Sequence, residues 1–491
     1  MGDKLILYMT QKTQFSDFNL DPKILKALEN KNFTNPTPIQ MATLDIALNS
    51  NMNIFGKAQT GTGKTAAFSL PILNSCDEKK KHIQALVLCP TRELAGQVEK
   101  EIRELKGEKN LFASSIYGGQ SYEKQLKSLK MGDQIIIGTP GRIVDHLKKG
   151  TLDLSNLRYF VLDEADEMLK MGFMDELDFI LEHVPNNVKK YFYSATFPKN
   201  MQRLVSSHLG DYELIEIKSE NKVNKLSKQT FIEIKEHQKI DALKFILNQE
   251  EDFYGIIFCN TKMIVDKLNL TLKKIGYKAD CIHGDIAQGQ RERVLRNFKE
   301  KKINILVATD VAARGIDVDN LTHVINYHLP ENAESFIHRV GRTGRAGNKG
   351  TAITFVSCEE YRQFKSIEKI NQVDFHHIQL PTPKEMEGLT IEKIRNEVEK
   401  ISGKDPLYSK IKEVLLKNFD HEEILLKLIQ KAYGGEKTTQ FEEINKSKKS
   451  REFGRRSRGR GGRRERERGR DRNRGRFNSG KKGGSRRKFK K

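Results

Sequence analysis

Ala58-Gln59-Thr60-Gly61-Thr62-Gly63-Lys64-Thr65 is the stretch on which the reading of this chain turns. It lies between the apolar run Met52 to Phe55 and the helix-compatible run Ala66 to Leu73, so it reads as strand, loop and helix. In that setting glycines let backbone N–H groups close around an anion, Lys64 reaches the terminal phosphates, and Thr65 presents a hydroxyl to Mg2+. The first position is Ala58 where the general phosphate-loop pattern has Gly. A glycine-rich turn with a chance Gly-Lys-Thr therefore competes, and the rest of the chain must decide.

Downstream, one unit repeats: a short apolar or β-branched run, a polar break, then a helical stretch. The runs are Ala85 to Cys89, Ile135 to Ile137, Tyr159 to Leu162 and Lys190 to Tyr193. Near-continuous apolar strands alternating with helices indicate a parallel α/β sheet, and ligands gather beyond the carboxyl ends of such strands. Asp163-Glu164-Ala165-Asp166 follows the third run. A carboxylate there is placed to hold Mg2+ on the phosphates, and Glu164 to orient or deprotonate a water. A helix start rich in acids explains the charge but not its coincidence with the Lys64 loop.

The other runs lead into Pro90-Thr91-Arg92-Glu93-Leu94-Ala95, Thr139-Pro140-Gly141-Arg142 and Ser194-Ala195-Thr196, with Gly118-Gly119 between the first two. Each alone reads as a cap or turn; together they form a row able to grip successive phosphates of a strand without reading bases. Upstream, Phe33-Thr34-Asn35-Pro36-Thr37-Pro38-Ile39-Gln40 offers an aromatic face and an amide that suits adenine. A Pro-rich turn before a helix explains the same residues.

Leu209 to Leu226 lacks periodicity and reads as a linker. The alternation then restarts with Gly255 to Cys259, Ala279 to His283, Ile303 to Ala308, His323 to Tyr327 and Ala352 to Val356, this time without a phosphate loop. Instead Thr309-Asp310-Val311-Ala312-Ala313-Arg314-Gly315-Ile316-Asp317 follows one strand, and His338-Arg339-Val340-Gly341-Arg342-Thr343-Gly344-Arg345 comes later. Arginines interleaved with glycine suit an anion brought from elsewhere, as an arginine finger does; a solvated basic loop is the alternative.

A chain of 491 residues is long enough for two or three domains. Net charge is +22, yet Lys446 to Lys491 alone carries 23 Lys and Arg against four acids, leaving about +3 for everything before it. That tail cannot bury a core; it is expected to be disordered and to bind phosphates broadly, with Phe453, Phe477 and Phe489 available for stacking. The scattered Cys76, Cys89, Cys259, Cys281 and Cys358 show no zinc spacing and read as buried thiols of a reducing cytosol. No run of about 18 apolar residues occurs, so neither secretion nor membrane insertion is expected.

Between 381 and 434, Thr382 with Pro383 and Glu385 reads as a helix start, followed by an apolar seam at Ile391, Ile394, Val398 and Ile401. Asp405 and Asp420 cap two further helices with Ile411, Leu415, Phe419, Ile424, Leu425 and Leu428. So short a segment makes a poor core of its own, so it packs on the second domain or pairs with a second copy.

From Phe15 to Ser357 these motifs, in this order and spacing, resemble the DEAD-box RNA helicases, superfamily 2 ATPases with two RecA-like domains. The resemblance implies an α/β fold with two RecA-like parallel-sheet domains in tandem: a leader 1–14, domain one 15–210, a linker 211–226, domain two 227–375, a helical segment 381–434 and a basic tail 446–491. It implies ATP and Mg2+ as ligands, with Phe33 stacking on adenine, Gln40 reading it and Phe15 in support. Residues 58–65 would hold the phosphates, Thr65 and Asp163 the Mg2+, and Glu164 the attacking water; Arg342 and Arg345 would be fingers and Asp317 a ribose contact. Asp166, Ser194, Thr196, His338 and Arg339 would couple nucleotide to RNA, with Ser194 and Thr196 bonded towards Asp166.

RNA would be held by Thr91, Arg92, Gly119, Thr139 and Arg142 in domain one and by Thr261, Gln288, Arg291 and Thr309 in domain two. The expected activity is RNA-dependent ATP hydrolysis that unwinds short duplexes or remodels RNA–protein complexes in the cytoplasm. A DNA-directed helicase of the same superfamily and a non-enzymatic RNA-annealing scaffold are the alternatives. Bacterial members with this layout serve ribosome assembly, messenger decay and growth in the cold, and some dimerise through a helical segment like 381–434. Asn32 and Val340 stand where the family commonly has Gly and Ile.

Overall fold

The computed structural model describes residues 13–217 and 227–381, apart from 60, 251, 314, 317, 319, 320 and 345–348, together with interrupted helical segments between 385 and 433. The basic tail, Thr382 and most of the leader lie outside the described residues. Two lobes follow one another, each built on a sheet of seven parallel strands.

In the first lobe the strands are β1 (Asn53–Lys57), β2 (Ala85–Leu88), β3 (Ala113–Ile116), β4 (Ile135–Gly138), β5 (Tyr159–Leu162), β6 (Lys189–Ser194) and β7 (Tyr212–Glu216). Their spatial order is β3-β4-β2-β5-β6-β1-β7. The alternation of side chains sends Val87, Ile135, Ile137, Val161 and Tyr191 into one core and Leu86, Leu88, Ile136, Phe160 and Phe192 into the other. Both faces are therefore covered by helices, which is why these strands read as unbroken apolar runs.

The second lobe repeats the plan with β8 (Ser227–Glu233), β9 (Gly255–Phe258), β10 (Ala279–Ile282), β11 (Ile305–Ala308), β12 (His323–Asn326), β13 (Gly350–Val356) and β14 (His376–His377), in the order β10-β11-β9-β12-β13-β8-β14.

Two expectations need correction. Residues 212–216 are not linker: they form the edge strand β7, paired with β1 from Asn53↔Tyr212 to Lys57↔Glu216. Only Ile215 of that strand is buried, so its polar outer positions gave no apolar run, as befits an edge. The second lobe likewise runs past 375, because β14 pairs with β8. The cysteines are buried free thiols as expected except Cys358, which is exposed.

Helices Pro406–Asn418 and His421–Tyr433 form where expected, and Glu422 N donates to Asp420 Oδ2 at 3.1 Å. Several of their described apolar residues are exposed: Leu425 is 59 % and Leu426 67 % exposed. No helix among the described residues is long and apolar enough to cross a membrane.

Candidate active site at the lobe interface

Strand order divides the functional edge of the first sheet in two. The ends of β5, β6 and β1 stand side by side and carry the Asp163-Glu164 pair, Ser194-Ala195-Thr196 and the phosphate loop; those of β3, β4 and β2 carry Gly119, Thr139 and Thr91. The second sheet divides the same way, with Gln288, Thr309 and Thr261 beyond β10, β11 and β9.

On the nucleotide half, Gly61 and Gly63 have φ of 81° and 90°, a region open to glycine at little cost. Gly63 caps the helix Lys64–Ser75, so the loop ends on a helix amino terminus with its N–H groups forward. Lys64 is 6 % exposed, yet its Nζ has no hydrogen-bond partner, and neither has the buried Oδ1 of Asp163. A buried ammonium and a carboxylate oxygen left unbonded fit a site built for an anion and its cation. Thr65 is partly exposed on the first turn beside them, and Thr62 Oγ1 donates to Gln59 O at 2.8 Å. Thr60 lies outside the described residues.

Gln40 is 4 % exposed and does more than its expected role needs. Its Oε1 accepts from Thr37 N at 2.9 Å and its Nε2 donates to Gly63 O at 3.1 Å, while Thr37 Oγ1 donates to Thr62 O at 2.8 Å. The Pro-rich turn and the phosphate loop are thus tied together. Phe33 keeps a partly exposed ring, and Phe15 is buried in the core that also holds Ile39 and Ala58. Asn32 precedes Phe33 with φ 57°, a left-handed position that asparagine tolerates next after glycine.

Glu164 is strained as well as half-buried: its φ is 52°, uncommon for a residue with a Cβ. Burial pushes its carboxyl up to about 7, with Lys64 opposing the shift, Asp163 adding to it and Arg342 of the second lobe again opposing it. Burial likewise raises Asp163, against the pull of Lys64. Next along, Thr196 donates to Asp166 Oδ2 through its N at 3.0 Å and its Oγ1 at 2.7 Å. Ser194 differs from expectation, since its Oγ donates at 2.6 Å to the carbonyl of Thr196 and supports Asp166 only through it. For Asp166 burial acts upward, but the Thr196 bond and the Lys64 and Lys170 charges outweigh it and lower the pKa.

The lobes touch at this edge. Arg342 donates from Nη1 to Ile316 O at 2.9 Å in its own lobe while its charge reaches Glu164. A Cβ on Gly315 would come within 2.8 Å of Leu94 N. Arg345 and Asp317 lie outside the described residues. His338 Nδ1 is 3.8 Å from Glu167 Oε1 of the first lobe. Arg339, by contrast, does not face the cleft: it is 1 % exposed and bonds Asp310 through Nε and Nη2 and Asn326 and His328 O through Nη1, all within the second lobe. Its role is to hold that lobe's helix Ala333–Val340 in place.

On the strand half, Arg92 Nη1 donates across the cleft to Gln288 Oε1 at 3.1 Å, and Arg291 Nε lies 2.9 Å from Glu93 Oε1. Gly119 has φ 85°, and a Cβ there would lie 2.4 Å from Arg92 Nη1, so glycine makes room for that arginine. Thr91 and Thr261 accept from Leu94 N and Ile264 N as helix caps. Thr139 caps the helix Pro140–Lys148 without a side-chain bond. Arg142 lies over the Tyr122 ring at 5.5 Å with its Nε buried and without a hydrogen-bond partner. Thr309 is partly exposed at the end of β11, next to Asp310. Glu93 and Asp310, the partners of Arg291 and Arg339, carry no motif of their own; a carboxylate adjoining an expected contact residue in sequence is their only signal.

Comparison with known proteins agrees with this geometry. Residues 37–204 match the DEAD/DEAH box helicase family and residues 238–347 the helicase conserved C-terminal domain. The chain is 48 % identical over 355 residues to a probable ATP-dependent RNA helicase of Methanocaldococcus jannaschii, covering 72 % of this chain and 95 % of that one. It is 40 % identical over 412 residues to the DEAD-box ATP-dependent RNA helicase CshA of Geobacillus kaustophilus, covering 83 % and 88 %. Among solved structures, S. cerevisiae Dbp5 bound to RNA and ADP BeF3 aligns with a TM-score of 0.70 at 31 % identity, covering 79 % of this chain and all of that one. The chain belongs to the DEAD-box family of ATP-dependent RNA helicases.

Proposed function

We propose that this protein binds ATP on its first lobe and one RNA strand along both lobes, and that closure of the lobes couples hydrolysis to the local parting of short RNA duplexes or the remodelling of RNA–protein complexes. The observation that carries this is the unbonded pair Lys64 Nζ and Asp163 Oδ1 beside a Glu164 that already feels Arg342 of the other lobe. Phe33 and Gln40 take the adenine, residues 58–65 the phosphates, and Asp317 the ribose. Glu164 accepts the proton of the water whose oxygen attacks the γ-phosphorus as the bond to ADP breaks. Arg342 and Arg345 balance charge on the transferring phosphoryl group. Mg2+, when bound at Thr65 and Asp163, supplies charge neutralisation on the phosphates.

Asp166, held by Thr196, and His338 stand between this centre and the strand half, where Thr91, Arg92, Gly119, Thr139, Arg142, Thr261, Gln288, Arg291 and Thr309 grip the backbone. Because Arg92 and Gln288 come from opposite lobes, closure presses on RNA and nucleotide together. Backbone contacts carry little base specificity, and the basic tail adds affinity that falls with salt. Phosphate release measured with RNA, DNA or neither as activator tests the reading; equal stimulation by DNA defeats it.

The exposed Leu425, Leu426 and Leu428 of helix His421–Tyr433, with Ile411 of helix Pro406–Asn418, favour pairing with a second copy over packing on the second lobe. Sedimentation of the full chain and of one ended at Pro381 decides: a concentration-independent monomer in both rejects the dimer. Action in the cytoplasm, with ribosome-assembly or RNA-decay proteins as partners, completes the proposal.

A further inference from the structure

The helix Ala333–Val340 leads into Arg342, and its face towards the first lobe carries charge. Glu334 and His338 are four residues apart and so lie on one side of it. Opposite stands the short helix Ala165–Lys170, which continues directly from the Asp163-Glu164 pair and carries Glu167 and Lys170 one turn apart. Lys170 Nζ lies 2.5 Å from Glu334 Oε2 across the interface and 2.9 Å from Glu167 Oε1 on its own helix. Glu167 in turn is the neighbour of His338 at 3.8 Å. The four side chains form a ladder, two from each lobe. Burial works against the charge on Lys170, but the bonds to Glu334 and Glu167 outweigh it and raise its pKa, whereas burial and the nearby Asp166 raise that of Glu334 against the pull of Lys170.

Position gives this ladder its consequence. The side chain of Glu334 is 23 % exposed and that of Lys170 34 %, so the bridge is partly open to solvent, and its weight comes from where it sits rather than from burial. It grips the first turn of the helix whose far end presents Arg342, while Arg339 fastens the same helix inside its own lobe. A helix fixed at both ends can neither slide nor turn, and the guanidinium beyond it keeps its place relative to Glu164.

We propose that Lys170 and Glu334 are positioning residues, an ion pair between lobes that sets Arg342 against the nucleotide site and stabilises the closed state. This rests on the closure described under Proposed function. A contact made only on closure shifts the equilibrium by its differential interaction, and by linkage it must then strengthen RNA binding when nucleotide is present and leave it unchanged when nucleotide is absent.

The test uses the full chain, a fluorescent single-stranded RNA, and a non-hydrolysable ATP analogue. Lys170→Ala and Glu334→Ala are each expected to weaken RNA binding about tenfold with the analogue and not at all without it. Lys170→Arg should stay near wild type, and the exchange K170E/E334K should recover most of the loss, since a lysine at 334 still reaches carboxylates on the facing helix. Dyes on the two lobes should report less closure in the single variants and restored closure in the exchange. Equal loss with and without the analogue, or an exchange no better than the sum of its single changes, overturns the proposal.

Analogue affinity without RNA and thermal melting identify a variant that has failed to fold, in which case the Lys170→Arg and exchange results decide. Arg342→Ala separates the two levels. If it hydrolyses ATP at the wild-type rate the closure reading itself falls, and the latch with it. If it is inactive while Lys170→Ala and Glu334→Ala behave as wild type, only the latch falls.

Discussion

Replacing Glu164 by glutamine should have opposite effects on catalysis and stability, and both can be sized from its surroundings. Burial lifts its carboxyl from an ordinary 4.5 to about 7. A base must be ionised, so at pH 6 only about a tenth of the free enzyme is competent and at pH 8 about nine tenths. The wild-type kcat/KM for ATP in the presence of saturating RNA should therefore rise roughly tenfold between pH 6 and pH 8, and Glu164→Gln should abolish turnover at both.

Stability follows from the same shift, with its sign fixed by linkage. A folded-state value above the unfolded one means that ionising Glu164 opposes folding: the opposition is absent well below 4.5, grows as pH rises, and is complete above 7. Its full size is of the order of 3 kcal/mol, falling below about 1 kcal/mol near pH 5. Glutamine removes that charge, so the variant should melt several degrees higher than wild type at pH 8 and within a degree or two of it at pH 5. Stopped-flow phosphate release and calorimetry give the two readouts. A flat rate profile between pH 6 and 8, together with unchanged melting at pH 8, would refute the assignment of a strained, raised carboxyl to the catalytic base.

Three other changes follow from contacts described above. Gln40→Glu sets a carboxylate oxygen against Gly63 O in place of the present donor, so ATP affinity should fall by more than tenfold and by more than for Gln40→Ala; equilibrium binding of a fluorescent ATP derivative would show it. Gly315→Ala carries a left-handed strain of about 1 kcal/mol in any state, and its Cβ also meets Leu94 N when the lobes are together. RNA affinity with an ATP analogue should drop at least tenfold while nucleotide-free affinity holds. Arg339→Ala strips a buried guanidinium from Asp310 and should destabilise the second lobe by roughly 3–5 kcal/mol, seen in urea unfolding.

What the sequence disclosed, and what it hid, follows from where each signal is stored. The interior strands β2, β4 and β5 declare themselves because a strand covered on both faces must be apolar throughout. The edge strands β3, with its Ser114-Ser115, and β7, with glutamates at 213 and 216, carry no such mark, and β7 lies in the stretch that reads as linker. Loop residues such as Gly63, Lys64 and Asp163 are legible because phosphate chemistry constrains their type and spacing together. Contacts across the lobes are not: nothing local ties Lys170 to Glu334 or Arg92 to Gln288, which meet only once both sheets exist. Arg339 shows the limit of motif reading, since its neighbours His338 and Arg342 face the cleft while it turns inward.

If Gln40 contacts the base, as proposed above, its grip on Gly63 bears on which purine the protein accepts. An amide free to rotate could offer either its oxygen or its nitrogen to a base edge, and so serve guanine as readily as adenine. Here the Thr37 N–H claims one end and the Gly63 carbonyl the other, so reversing the group would bring like against like on both sides. Choice of nucleobase is then written into main-chain atoms that no substitution of the loop's side chains can erase.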